Sequence, residues 1–154
     1  MSNFAGLLLD YYDKNKRLLP WRVDPTPYQV WISEIMLQQT RIETVKERYA
    51  SFLKSFPSIE SLANASEERV LKEWEGLGYY SRARNLRKGA QEIVEKFHGE
   101  LPKTKAELMT IPGIGDYTSS AISSIALMSP RLPWMGIYFA CTRELTLRRI
   151  VMRI

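Results

Sequence analysis

One cysteine, Cys141, is the first informative scarcity in this chain of 154 residues. A single thiol excludes an internal disulfide and any multi-cysteine metal site. Long apolar runs are missing too: none approaches the roughly 18 residues that a membrane-spanning helix needs. The opening "MSNFAGLLLDYYDKNKR" carries a short apolar patch, with no basic leader before it and no small-residue cleavage site after it. A secretory signal is therefore not expected, and a soluble cytoplasmic protein is the plain reading. Strand-like alternation, internal repeats and low-complexity tracts are also absent. Hydrophobic content of 45% and charged content of 25% are ordinary globular values, and the length suits one domain with a real core.

An excess of one charge sign is nearly absent from most of the chain, despite a net charge of +5. Residues 130–154 hold five arginines (131, 143, 148, 149 and 153) and one acid, Glu144. Residues 1–129 hold 17 basic and 16 acidic side chains, so any case for a nucleic-acid partner rests on local clusters.

The pattern that is present is helical almost throughout. Asn3 to Lys14 reads as a helix, and "RLLPWRVDPTP" follows as an extended segment whose prolines oppose helix. Between Tyr28 and Phe56, apolar residues recur at helical spacing, which predicts two helices meeting near Thr40. Short helices are expected at 58–63 and 67–74, the second capped by Ser66 with Glu67 and Glu68 in its first turn. Gly76 and Gly78 break the chain, and a helix from Tyr80 to Phe97 stops at Gly99. "TKAE", Thr104 to Glu107, has the form of a capping box opening another helix. The fold class expected is all-α, built of many short helices.

Three constellations bear on chemistry. In "ELMTIPGIGDYTSSAISSIAL", two amphipathic helices flank Pro112-Gly113-Ile114-Gly115, and both glycines can adopt backbone angles closed to other residues. Such a helix-hairpin-helix turns backbone N–H groups outward, where a DNA phosphate can accept them without regard to base sequence. The alternative is a tight helix corner that binds nothing. In "GLGYYSRARNLRKGA", Arg82, Arg84, Arg87 and Lys88 crowd one helix start beside Tyr79 and Tyr80. Cations neutralise phosphates and aromatic rings stack on unpaired bases. The alternative there is a solvated helix face with both tyrosines packed in the core. Lastly, "VWISEIML" holds a single charge, Glu34, whose near neighbours on the helix are apolar. Most helix glutamates are solvated surface residues. A carboxyl in dry surroundings has its charged form disfavoured, which is how a general acid is kept usable near neutrality. The polar run Gln38-Gln39-Thr40-Arg41 follows it.

Taken together, "LPWR", "PYQVWISEIMLQQTRIETV", "WEGLGYYSRARNL" and "IPGIGDYT" resemble the adenine DNA glycosylases of the helix-hairpin-helix superfamily, from about residue 4 to about residue 130. The resemblance implies a multi-helix barrel domain that hydrolyses the N-glycosidic bond of adenine mispaired with 8-oxoguanine or guanine, after flipping that adenine out of the duplex. It makes Glu34 the general acid that protonates the leaving base. Gln39 and Tyr79 match residues inserted into the base stack, with Leu77 beside them, and Gln38, Arg82, Arg84, Gly113, Ile114 and Gly115 complete the expected DNA contacts. Arg17, Leu19 and Trp21 match positions lining the adenine pocket. Tyr117 matches a residue that, in some members, hydrogen-bonds within the catalytic carboxylate cluster. Endonuclease III-like lyases place a nucleophilic lysine there; a phenol forms no imine, so a monofunctional glycosylase is implied.

After Leu127 the resemblance collapses. The family carries V-D-G-N, whose aspartate stabilises the developing oxocarbenium ion, whereas this chain reads "RLPWMGIYFACTRELTLRRIVMRI" with Met135 in the aspartate's place. Trp134 and Met135 have one codon each, and reading their bases one nucleotide earlier forces Asp-Gly. A single-base frameshift near residues 128–133 is therefore expected. Three regions follow: an N-terminal helix and linker (1–20), a glycosylase domain (21–130) with its hairpin at 104–128, and an aberrant tail (131–154). The family's [4Fe-4S] cluster then has no ligands in this chain, and Cys141 is not counted as one. Phe4, Leu7, Leu8 and Tyr11 are expected to be exposed, with low stability and little turnover. Double-stranded DNA with A:8-oxoguanine or A:G mispairs is the implied partner, for a monomer associated with the nucleoid. Two other readings stay open: a non-catalytic DNA-binding module, and an all-α fragment whose features are packing alone.

Overall fold

The computed structural model describes residues 19–22 and 25–123; the expected first helix and the tail beyond Leu127, including Met135 and Cys141, lie outside them. All described residues belong to one compact unit, Leu19–Leu127. Among them there is no strand. A 3-10 turn, Pro20–Arg22, precedes α1 (Pro27–Leu37), α2 (Ile42–Ser55), α3 (Ile59–Ala63) and α4 (Glu67–Glu73). Then come α5 (Ser81–Phe97), α6 (Lys105–Leu108) and α7 (Asp116–Ile122).

Local chemistry sets most of these boundaries. Thr26 and Gln29 form a reciprocal capping box on α1, and Pro27 occupies its first position, where a missing N–H costs nothing. Ser66 accepts the Arg69 N–H at the start of α4, as expected. Helix α5 ends with His98 at φ 55, followed by Gly99 at φ 85, a left-handed exit that releases the last turn. Two expectations need correcting. The segment around Pro20 is not wholly extended, because proline is tolerated at the first position of a short turn. At Thr104 only half of the capping box forms: the hydroxyl accepts the Glu107 N–H, and the Glu107 carboxylate takes the hydroxyl hydrogen (2.6 Å).

Helix α1 is the centre of the unit, packing against the 3-10 turn, α2, α5 and α7. Every residue from Val30 to Met36 is buried, the pattern of a helix apolar on all sides. Helix α5 lies across α3, α4 and α1. Phe52 stacks edge-on against Phe56 and Trp74, and Trp21 packs the same way against Tyr49 at 5.4 Å. Inside α5, Gly89 permits a close crossing. A Cβ there would sit 2.8 Å from Ile111 Cγ2, 3.1 Å from Trp31 Cζ2 and 3.2 Å from the Pro112 carbonyl oxygen.

Two buried phenols hydrogen-bond as neutral donors, Tyr28 to the Phe56 carbonyl (2.8 Å) and Tyr49 to the Gln29 carbonyl (3.4 Å). Burial pushes both up from the ordinary 10.0, Tyr28 beyond the usual phenol range and Tyr49 to about 12.

Mid-helix glycine usually loses to alanine by about 0.5–1 kcal/mol, but overpacking at such a crossing costs about 1–3 kcal/mol. Gly89→Ala is therefore expected to lower unfolding stability in urea, followed by circular dichroism at 222 nm; a rise would show the crossing yields easily. Because the folded phenols have raised pKa values, their contribution is complete below about pH 10 and is lost as pH climbs from there toward 12. Urea midpoints across pH 8–12 should be level and then fall, and the fall should be shallower in Tyr49→Phe.

Candidate nucleic-acid interface and catalytic carboxylate

Glu34 stands in the buried stretch of α1 with 5% of its surface exposed. Four residues on, the Gln38 amide reaches the Thr118 hydroxyl of α7 at 3.3 Å. Residues four apart share a helix face, so Glu34 lies on the side of α1 that meets α7. Tyr117, its expected partner in the catalytic cluster, is in the first turn of α7 and 51% exposed.

The hairpin joins α6 to α7 through a tight turn. Gly113 holds φ 83 and faces Asn85, whereas Gly115 has ordinary angles (φ −91) and needs no special freedom. A Cβ at Gly115 would meet nothing within 4 Å, so its bareness serves the outer surface. Ile114 differs from the expectation: its side chain is buried, and its N–H is donated to the Ile111 carbonyl (3.1 Å). Among the described residues, the N–H groups of Gly113 and Gly115 have no backbone acceptor. Asp116, just beyond, pairs with Lys105 at 2.6 Å.

The arginine cluster divides. Arg82, expected on phosphate, is buried, and its terminal nitrogens are occupied within the protein. Nη1 donates to the carbonyls of Ile35 (2.9 Å), Met36 (3.1 Å) and Gln38; Nη2 donates to the carbonyls of Leu77 (2.9 Å) and Gly78 (3.2 Å) and to Thr40 Oγ1 (2.9 Å). Desolvation lowers its pKa, opposed by the nearby Tyr79 phenol. Arg87 Nε donates to the Ala65 carbonyl at 2.6 Å. Arg84 is half-exposed and paired with Glu67 at 2.9 Å. The core alternative for the tyrosines fails, since Tyr79 is 62% and Tyr80 41% exposed.

Gln39 is exposed at φ 56, while Leu77 is buried in the core, which removes its side chain from the outer surface. Leu19 and Trp21 are both buried, Trp21 against Tyr49 of α2, and Arg17 lies outside the described residues. The residues brought together are thus Gln38, Gln39, Thr40, Leu77, Gly78, Tyr79 and Thr118, with Arg82 beneath them. Sequence reasoning missed Thr118 and misassigned Arg82. A warning was present: cations in the first turns of a helix oppose its dipole, so at least one needed acceptors elsewhere.

A hairpin joining short helices, packed on a buried helix that carries a carboxylate, is a helix-hairpin-helix arrangement. The family model described as "HhH-GPD superfamily base excision DNA repair protein" matches residues 32–153, and the chain belongs to that superfamily. It is 46% identical over 135 residues to the adenine DNA glycosylase of Homo sapiens, covering 82% of this chain and 25% of that protein. It is 38% identical over 150 residues to the adenine DNA glycosylase of Buchnera aphidicola subsp. Baizongia pistaciae, covering 97% of this chain and 40% of that one. A solved thermostable thymine-DNA glycosylase shares 27% identity with a TM-score of 0.74, over 80% of this chain and 57% of that chain. The chain therefore spans between a quarter and two-fifths of these two curated relatives. The family match runs through residues 131–153 as well, the stretch in which Met135 stands where the family is expected to carry aspartate.

The family's cluster would need four thiolates, and the sequence has one cysteine, so the residues present do not fit a [4Fe-4S] group. Among the described residues no group of His, Cys, Asp or Glu is arranged to hold a metal, and no helix is long and apolar enough to cross a membrane.

An exposed ion pair contributes little, about 0.2–1 kcal/mol. Arg84→Gln should accordingly leave the urea midpoint almost unchanged, and a large drop would mean that the Arg84–Glu67 pair holds α4 to α5 more firmly than its exposure implies.

Proposed function

We propose that this chain is the helical part of an adenine DNA glycosylase, acting on adenine mispaired with 8-oxoguanine or guanine in duplex DNA. The observation that carries the proposal is Glu34, a carboxyl buried on the α7 side of α1, one turn before the Gln38-Gln39 corner. A domain that only gripped DNA would have no use for a dry acid there. In this reading Gln39 and Tyr79 enter the stack as the adenine swings out, and the hairpin, bare at Gly115, admits the backbone phosphate. Glu34 gives its proton to the purine, the bond from base nitrogen to C1′ breaks with its electron pair leaving on adenine, and water adds at C1′, the proton it releases restoring the Glu34 carboxyl. The products are free neutral adenine and an abasic site. Tyr117 in place of a lysine leaves no amine for a Schiff base, so strand cleavage by β-elimination is not expected.

The domain scheme of 1–20, 21–130 and 131–154, with a monomer acting on nucleoid DNA in the cytoplasm, belongs to the same proposal. So does the frameshifted tail. With Met135 where the family's aspartate would stand, the oxocarbenium ion lacks its stabilising carboxylate and turnover is slow. That same residue favours a second reading, a DNA-binding module that has lost its chemistry.

A duplex with adenine opposite 8-oxoguanine, incubated with excess protein and then heated in alkali, separates the two. Slow scission at the adenine, absent without alkali and lost in Glu34→Gln, is the expected result. Salt-sensitive binding with no scission at any protein excess would favour the binding module, and no binding at low salt would overturn both.

A further inference from the structure

Three non-glycine residues among those described have positive φ: Gln39 (56), Tyr79 (45) and His98 (55). His98 sits at a helix end beside Gly99, where that conformation is routine. The other two differ. Gln38 at φ −62, ψ 115 followed by Gln39 at φ 56 is similar to the central pair of a type II turn, whose third residue is normally Gly or Asn. Tyr79 follows Gly78, itself at φ 69, so the loop holds two left-handed residues in succession. Strained exposed residues of this kind persist only where surrounding contacts over-determine them.

Those contacts converge on one side chain. The Arg82 guanidinium donates to the α1 end (Ile35, Met36, Gln38) and to the tyrosine loop (Leu77, Gly78) at once. Thr40 closes the link, accepting from Arg82 while its own hydroxyl lies 3.3 Å from both the Gln38 and the Leu77 carbonyl. Trp74 supports the loop from below through Nε1 to the Gly78 carbonyl (3.1 Å), and the guanidinium lies 5.4 Å from the Trp74 ring and 5.7 Å from the Tyr79 ring. We propose that Arg82 is a positioning residue that couples the Gln38–Thr40 corner to the Gly76–Tyr79 loop, so that Gln39 and Tyr79 are presented as one preformed pair. Its consequence for DNA rests on the function proposed above; the coupling itself does not. The two terminal nitrogens of a planar fork, with four hydrogens between them, reach both segments at once, whereas a lysine ammonium is a single point charge that cannot span the two sides.

Hydrogen exchange by mass spectrometry on the full chain tests this. Arg82→Lys should speed exchange in peptides covering 38–41 and 76–80 together, leaving α3 and the α3-facing part of α5 near the parent rate. Leu62→Ala, a core change between α3 and α5, serves as the control for general destabilisation and should not single out those two peptides. Affinity for the duplex with adenine opposite 8-oxoguanine should fall about tenfold in Arg82→Lys, the scale of re-ordering two side chains on binding, and stay level in Lys96→Gln, an exposed change at the far end of the same helix. Parent-like exchange in both segments, loosening of one alone, or uniform acceleration across the chain would each overturn the coupling. Should the parent bind no DNA, the proposed function falls while the exchange result still decides the role of Arg82.

Discussion

The architecture depends on how one helix end is satisfied. Helix α1 has no basic residue in its own last turn, and its final carbonyls point into a packed region. Such groups are costly to bury unpaired, and they form the negative end of the helix dipole. Arg82, 46 and 47 residues further along the chain from Met36 and Ile35, supplies the missing cation and the missing donors together. Burying a guanidinium is expensive, but here the desolvation is offset by charge-assisted bonds to carbonyls and by flanking aromatic rings. The same contacts fix where α1 stops and where α5 begins.

Everything on the candidate DNA-facing side follows from that junction. Because α1 ends there, the chain turns sharply at Gln38-Gln39, and the Gln38 amide is free to reach Thr118 on the hairpin's second helix. Glu34 then lies one turn back, in a part of α1 enclosed on every side by packed neighbours. Burying a carboxyl costs free energy unless it is neutral or hydrogen-bonded, and this placement is what the proposed role of Glu34 draws on. Gly89 sets the opposite wall, letting Trp31 and the Ile111-Pro112 entry of the hairpin approach α5. Corner, carboxylate and hairpin thus share one packed neighbourhood.

Much of the fold was legible because its signals are local. Ser66 followed by two glutamates, the break at Gly76 and Gly78, and the stop at Gly99 act through the nearest few residues, and they appear where expected. The capping box of Thr26 and Gln29 is less legible, because Pro27 between them signals a chain break as strongly as a helix start. For the candidate site, the burial of Glu34 was readable from the apolar company it keeps within one turn. Leu77 and Ile114 were not: both stand in glycine-rich turns that look exposed, yet each side chain drops into the core.

Arg82 and Arg84 mark the boundary between the two kinds of information. They are the same residue type, two positions apart on one helix, and about 200° apart around its axis. The sequence alone established an all-α chain, its punctuation, a hairpin with bare glycines and a carboxylate set among apolar residues, since each depends on interactions within a turn or two. It did not establish which arginine would turn inward, because the deciding acceptors belong to a helix end more than forty residues away. Only closure of that long loop creates a ring of carbonyls for one guanidinium to fill, and it leaves the other outside with Glu67.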